Sequence, residues 1–275
     1  MKYDHPYLME NDQEAFRLEV KTDPDAVRKQ AQICGIGAGA RVLDAGCGSG
    51  KTTDILYDMI QPGGTIVGVD FSHDRIRFAK NKYGGKKPGM EFRLMDLRKP
   101  LNGLGQFDFI WIRFVLEYFL EGAKDIVTTL AGSLAPGGTM CLLDLDYNSM
   151  SHYPIKPEME MVIKMIVQKM MHSYNFDPYA GRKLYAFLYD QGFRDIEVNM
   201  IAHHLIYGDL SDSDDFNWIK KIEMASVKAW DTFEHYRGGY AGLLDDFTAF
   251  FHDPRRFTYT PLIICTGRKP TPGGS

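Results

Sequence analysis

Cysteine is scarce in this 275-residue chain, and the four that occur, Cys34, Cys47, Cys141 and Cys265, are scattered with no CxxC spacing. Neither a disulfide framework nor a zinc site is implied, and the four read as reduced packing residues. Long hydrophobic runs are missing as well. None approaches the ~20 apolar residues that a membrane span needs, and the polar start MKYDHPYLMENDQE lacks the apolar region of a signal peptide. A cytoplasmic protein without a membrane partner is expected. A dominant sign of charge is also lacking: 32 basic and 36 acidic residues are interspersed, for a net charge of −4. Without a basic stripe, a dedicated nucleic-acid binder is excluded. What remains is an ordinary composition, 44% hydrophobic, sufficient for one large domain or a domain with a lobe.

Apolar runs of strand length alternate with helical patterns, which predicts a parallel sheet covered by helices. DPDAVRKQAQICGI reads as a helix opened by Asp23 and Pro24 and closed near Gly35. ARVLDAG, TIVGVDF and MEFRLMD read as strands separated by helices over about 51–60 and 74–83. FDFIWIRFV is the next strand, AKDIVTTLAGSL a helix stopping at Pro136-Gly137-Gly138, and TMCLLDLD the strand after it. The alternation then breaks. A methionine-rich helix is expected over about 157–174, then the helix GRKLYAFLYDQG and the strand FRDIEVNMIAHHLI. Residues 207–256 read as helices before a last strand TYTPLIICTGR, since a connection that long needs structure of its own.

The stretch VLDAGCGSGKTT, residues 42–53, admits two readings. As a loose P-loop it would hold nucleotide phosphates, with Lys51 reaching their oxygens. Against that, a carboxylate at Asp44 in the mouth of the loop, and another at Asp70 on the adjacent strand, would repel a polyphosphate. The dinucleotide fingerprint fails on spacing, because Lys51 stands where its last glycine belongs. A ligand with a nucleoside, a positive centre and no phosphate fits better. Glycines allow close backbone approach, and Asp70 lies at the spacing of a ribose-binding carboxylate.

VLDAGCGSG, VGVDFS, LMDL and LAPGGTMCLLD together resemble the successive motifs of class I S-adenosylmethionine-dependent methyltransferases of the small-molecule type, over about residues 35–146. The resemblance implies a Rossmann-like, doubly wound, mostly parallel α/β sheet with an antiparallel last strand, here with a helical cap. It implies that Asp44, Gly46, Cys47, Gly48 and Gly50 line the methionine and ribose of S-adenosylmethionine. Asp70 would bind the ribose hydroxyls, Asp96 the adenine amino group, and Leu97 and Phe71 would flank the ring. Lys51 and Thr52 then simply begin a helix. Metal-dependent relatives of the catechol type want a carboxylate where Arg113 stands, so no catalytic metal is expected.

Methyl transfer needs orientation and desolvation, and a base only when the acceptor must lose a proton early. Candidate residues therefore lie beyond the fourth and fifth strand ends. Arg113 interrupts an apolar run and is expected to meet a partner or a ligand, with Glu117 four residues on as the natural partner. His152 follows the fifth strand end. Arg113, Glu117 and His152 are the catalytic candidates, with Arg113 also a cofactor contact. His203 and His204 are consecutive in a strand, so they should point to opposite faces and not serve one site. Asp177 and Pro178 read as a helix cap and first turn, with Tyr179, Arg182 and Tyr185 on one packing face. Met159, Met161, Met165, Met170 and Met171 suit either core or an irregular apolar pocket. Trp218, Trp230, Phe233 and Tyr236 fit a cap over the acceptor.

The expected divisions are an N-terminal segment and helix over 1–34, a cofactor-binding core over 35–146, a helical insertion over 147–176, a return to the sheet over 177–206, a helical cap over 207–256, a last strand over 257–269, and a disordered tail over 270–275. The expected function is methylation of a small organic acceptor by a protein free to form a homo-oligomer. A non-methylating or noncatalytic binder of the same cofactor and a P-loop nucleotide hydrolase are the alternatives.

Overall fold

A computed structural model describes residues 14–271, and most of the expected tail lies outside them. Five strands form the parallel part of the sheet: β1 (Arg41–Ala45), β2 (Thr65–Asp70), β3 (Met90–Leu94), β4 (Phe107–Arg113) and β5 (Leu134–Leu145). They lie in the order 3-2-1-4-5. β8 (Phe257–Arg268) runs antiparallel beside β5, and β7 (Arg194–Tyr207) runs antiparallel beside β8. The short β6 (His152–Tyr153) pairs with the start of β8. The sheet is thus mostly parallel with an antiparallel last strand. Central strands such as β1 and β2 are buried almost throughout, as continuous apolar runs between two helical layers must be.

Helices α1 (Glu14–Lys21), α2 (Pro24–Ile33), α3 (Lys51–Met59), α4 (His73–Tyr83) and α5 (Ala123–Ala131) flank this part. The ends of α2 and α4 follow local chemistry. Asp23 accepts from the amides of Asp25 and Ala26 ahead of Pro24, and Ser72 accepts from the Arg75 amide. α5 ends at Ala131, short of the proline and glycines expected to stop it. Leu134 to Gly138 already belong to β5, and the register against β4 slips between Phe107↔Leu134 and Phe109↔Thr139, a bulge that takes up the irregular residues.

α6 (Pro157–Tyr174) follows β6, α7 (Leu184–Asp190) precedes β7, and α8 (Asp212–Lys228) and α9 (Gly239–His252) fill the connection between β7 and β8. Asp177 starts no helix; it accepts from the Tyr179 amide in a turn and pairs with Lys183, and a 3-10 turn over Gly181–Lys183 leads into α7. Two apolar clusters cover the two sheet faces. A third joins α6, α8 and α9 through Met159, Trp218 and Phe247, among others, so the two helical insertions share one core beside the sheet.

Candidate functional site

The sheet order reverses between β1 and β4, and the loops leaving these strands diverge to open a crevice at their carboxyl ends. The β1 loop depends on glycine. Gly46, Gly48 and Gly50 take φ of +84°, +54° and +85°. A Cβ on Gly46 would also stand 2.4 Å from Val115 Cγ2, in the loop after β4. The amides of Gly46 and Cys47 both donate to the Val69 carbonyl, and the Gly48 amide donates to Asp70 Oδ2 at 3.0 Å. The loop is therefore tied to β2 by backbone and carboxylate alike.

Over it lies a cavity of about 430 Å³. Gly46, Cys47, Gly48, Asp70, Phe71, Asp96, Leu97, Arg113 and Glu117 all line it. Asp44 and Gly50 do not. Asp44 lies beneath the loop, where Thr53 Oγ1 donates to it at 2.6 Å, and burial pushes its carboxyl up to about 7. Gly50 starts α3 against Phe92 and Ala79. Asp70 is not an idle carboxylate: its Oδ1 accepts from the Ser72 amide and from Arg75 Nε and Nη2. Asp96 is gripped by Arg98. Lys51 turns out of the loop and donates to the Glu19 carbonyl at 2.9 Å, securing α1 instead of reaching for a phosphate.

The sequence reading missed α1, which roofs the cavity with Arg17, Leu18 and Lys21. Leu18 Cδ1 would lie 2.9 Å from a Cβ on Gly48, so the helix rests directly on the loop. Arg113 and Glu117 do not pair with each other. Arg113 donates to Gln30 Oε1 at 2.7 Å and faces buried Asp44 and Asp144, whereas Glu117 accepts from Asn148 Nδ2 at 2.8 Å. Phe114, at φ +56°, turns the chain between them and so separates the two side chains.

A second chamber of about 150 Å³ meets the first at Arg17, Lys21, Glu117 and Tyr118. Its far walls are apolar, with Ile166 and Met170 of α6, Trp218 of α8 and Phe247 of α9. Of the other cap aromatics, Phe233 and Tyr236 are packed in the third core and Trp230 is exposed. Met170 alone of the α6 methionines lines a chamber, while Met159 is core and Met161 half-exposed. Lys221 of α8 also lines the second chamber. Its ammonium lies 4.0 Å from the Trp218 ring and donates to Ser149 Oγ at 3.1 Å.

His203 and His204 depart from strand alternation. The β7 register shifts between Ala202 and His204, a bulge that sets their rings 4.2 Å apart instead of on opposite faces. His203 lines the first cavity and His204 the second. His152 is brought to neither. Its ring bonds Thr258 and the Ser149 carbonyl, sits among Trp218, Phe250 and Phe251, and is pushed down to about 4 by burial. Arg182 pairs with Asp146 and stacks over Tyr147 and Tyr179, away from both chambers. Among the described residues no cluster of histidine, cysteine and acidic side chains could hold a metal.

Residues 42–138 match the family model described as a methyltransferase domain. Trans-aconitate 2-methyltransferase of Methylobacterium nodulans is 33% identical over 107 residues, which are 39% of this chain and 39% of that protein. The chain thus spans about two fifths of that relative's length. Among solved structures, phosphoethanolamine N-methyltransferase 2 of Haemonchus contortus, in complex with phosphomonomethylethanolamine and S-adenosylhomocysteine, superimposes with a TM-score of 0.60 at 15% identity, covering 95% of this chain and 58% of that one. The [4+2]-cyclase SpnF does so at 0.55 and 16% identity, covering 99% and 89%. At such identities the likeness is one of fold alone, and it extends to an enzyme whose named reaction is a cyclisation.

Proposed function

We propose, for a chain whose residues 42–138 are a methyltransferase domain, that it transfers a methyl group from S-adenosylmethionine to a small organic acceptor. The observation that carries this reading is the cavity over the glycine loop, with Asp70 at the end of the neighbouring strand and a second, apolar chamber opening from it. The residues present fit the cofactor. A side chain at Gly46 would collide with Val115, so glycine lets this loop pack against the loop after β4 while both line the cavity. The volume falls within the ~300–1,000 Å³ of small-ligand sites. The unpaired positive charge of a sulfonium suits a loop backed by Asp44.

When bound, the cofactor supplies a methyl group already activated for displacement. The chain's own residues bind, orient and exclude water. Asp70, held in place by Arg75, accepts from the ribose hydroxyls. Asp96 accepts from the adenine amino group, with Leu97 and Phe71 against the ring. The backbone of Gly46, Cys47 and Gly48 follows the methionine portion, with Asp44 and Gly50 supporting it from behind. Arg113, fixed by Gln30, keeps the β4 loop against that segment. Glu117, held by Asn148 where the chambers meet, orients the acceptor. His152 packs the cap and takes no chemical step in this reading. We also place the protein in the cytoplasm, where its free cysteines suit a reducing compartment, and expect it to self-associate. No described helix is long and apolar enough to cross a membrane.

Calorimetric titration tests the cofactor half. S-adenosylmethionine and its demethylated product should bind without competition from ATP. Asp70→Ala should weaken binding by about tenfold or more, through loss of charge-assisted hydrogen bonds worth ~1.5–3 kcal/mol each. ATP binding that disappears in Lys51→Ala would replace this reading with the nucleotide hydrolase. Tight cofactor binding without methylated product from any acceptor would leave a non-methylating binder.

A further inference from the structure

The place where the two chambers meet carries more positive than negative charge. Lys21 of α1 and Lys221 of α8 both line the second chamber, and neither forms an ion pair among the described residues. Lys21 has the Phe114 ring at 6.0 Å; Lys221 has Trp218, Ser149 and Asn148. The guanidinium of Arg17 is already matched to Glu14, and that of Arg113 is bonded to Gln30. Facing them, Glu117 is the one carboxylate shared by both chambers among the described residues, and its oxygen is bonded to Asn148. Two partly desolvated ammonium groups against one engaged carboxylate leave a positive site that a ligand can neutralise.

Two further polar atoms are unsatisfied at the same place. His203 Nε2 and His204 Nδ1 are buried with no hydrogen-bond partner among the described residues, and their rings line the first and second chambers. A buried donor or acceptor without a partner is costly, which favours a polar ligand group beside them. Beyond the charged site the walls turn apolar, with Ile166, Met170, Trp218 and Phe247. The site thus asks for a charged head and an apolar body.

We propose that this junction recognises an organic anion: the acceptor presents a negatively charged oxygen, carboxylate or phenolate, to Lys21 and Lys221, and lays its apolar body in the second chamber. This rests on the methyl-transfer reading of the same site. The charged oxygen then faces the cofactor cavity and is the nucleophile. The oxygen–methyl bond forms from an oxygen lone pair as the sulfur–methyl bond breaks, and the breaking bond's electron pair stays on sulfur. An oxygen that arrives ionised has no proton to lose, and both products carry one charge fewer than the reactants. Burial first, then repulsion from Arg17 and Arg113 on Lys21 and from Lys21 and Arg17 on Lys221, push Lys221 down to about 7 and Lys21 to about 8, a cost that an anion beside them would relieve.

A matched series of 3-phenylpropanoate, 3-phenylpropanamide and 3-phenylpropylamine, titrated by NMR against the full-length protein with and without S-adenosylhomocysteine, tests this. The acid should bind about tenfold tighter than the amide, and the amine should not saturate. Lys21→Met and Lys221→Met should each bring acid and amide to within about threefold, whereas Lys221→Arg should keep the preference. With S-adenosylmethionine present, methyl ester formed from 3-phenylpropanoate against methyl ether formed from 4-nitrophenol separates a carboxylate from a phenolate acceptor. Equal binding of acid and amide, or an acid preference that survives both methionine variants, overturns the proposal. The two readings fail separately. Cofactor binding without acid preference removes the anion site alone, and acid preference that depends on Lys21 and Lys221 without cofactor binding removes the methyl-transfer reading alone.

Discussion

Asp44, next to last in β1, has packed protein around it and one short hydrogen bond from Thr53. Burial is the main reason its carboxyl is pushed up to about 7. The sign of the consequence follows from linkage. Between an ordinary carboxyl value near 4 and about 7, the folded state binds this proton more tightly than the unfolded chain does. Stability from this group is therefore full at acid pH and is lost as pH rises, by up to roughly 4 kcal/mol above pH 7. Asp44→Asn removes the ionisation while keeping the shape. It should raise the melting temperature over the parent protein at pH 8 and much less at pH 5. An equal effect at both values would show that the carboxylate costs nothing in the free protein. At this scale, the residues of the glycine loop and the strand ends were legible in the sequence, because both depend on local backbone requirements. The pairings of Arg113 and Glu117 were not, since Gln30 and Asn148 reach them from distant elements. Nor was the meeting of His203 with His204, because a one-residue bulge cancels the alternation on which the expectation rested.

At the scale of elements, β7 is the exposed member of the sheet, pairing with β8 alone among the described strands. Register puts Leu205 opposite Tyr259, Tyr207 opposite Phe257, and Tyr153 of β6 opposite Phe257 on the other side. Opposed residues share a face, and all five of these side chains are exposed, Tyr207 at 65% and Tyr153 at 73%. A contiguous apolar patch beside an open strand edge is a surface that a second copy can cover. Sedimentation velocity should show association above the 31.3 kDa of one chain, reversed by Tyr207→Glu, whose buried carboxylate would oppose the contact. A parent protein that stays monomeric as concentration rises would leave the patch without that role. Strands and long helices were legible from their periodicity, including α6 and the helices after β7. α1 was not: eight residues form too short a helix for periodicity to stand out, and it is held by tertiary contacts, Lys51 to Glu19 and Leu18 on Gly48. β5 was shortened in the reading because proline and glycine normally interrupt strands, whereas here a bulge absorbs them.

At the scale of the whole molecule, the sheet, with an apolar cluster on each face, carries one chamber, and the cap, with a third cluster, carries the other. This division separates two properties that a single pocket would mix. Phe247 is 2% exposed, belongs to the cap core and lines only the second chamber. Excising the cap outright would strip Met159 and Ile163 of α6 of their cover, so a point change is the sharper probe. Phe247→Ala removes a ring from a packed core, a loss of about 3–5 kcal/mol in comparable sites, and should lower the melting temperature. It also widens the second chamber, where the proposed acceptor would lie, and on that reading a misplacement of about 1 Å can cost about a hundredfold in rate. Under the proposed function, methyl transfer should therefore fall by about a hundredfold while cofactor affinity stays within about threefold. Phe247→Leu, which refills part of the space, should recover much of both stability and rate. The paired measurement is cofactor titration and product formation on each folded variant. Cofactor affinity that falls in step with turnover would mean that the cap shapes the first chamber as well, and that the two lobes do not divide the work between binding the donor and placing the acceptor.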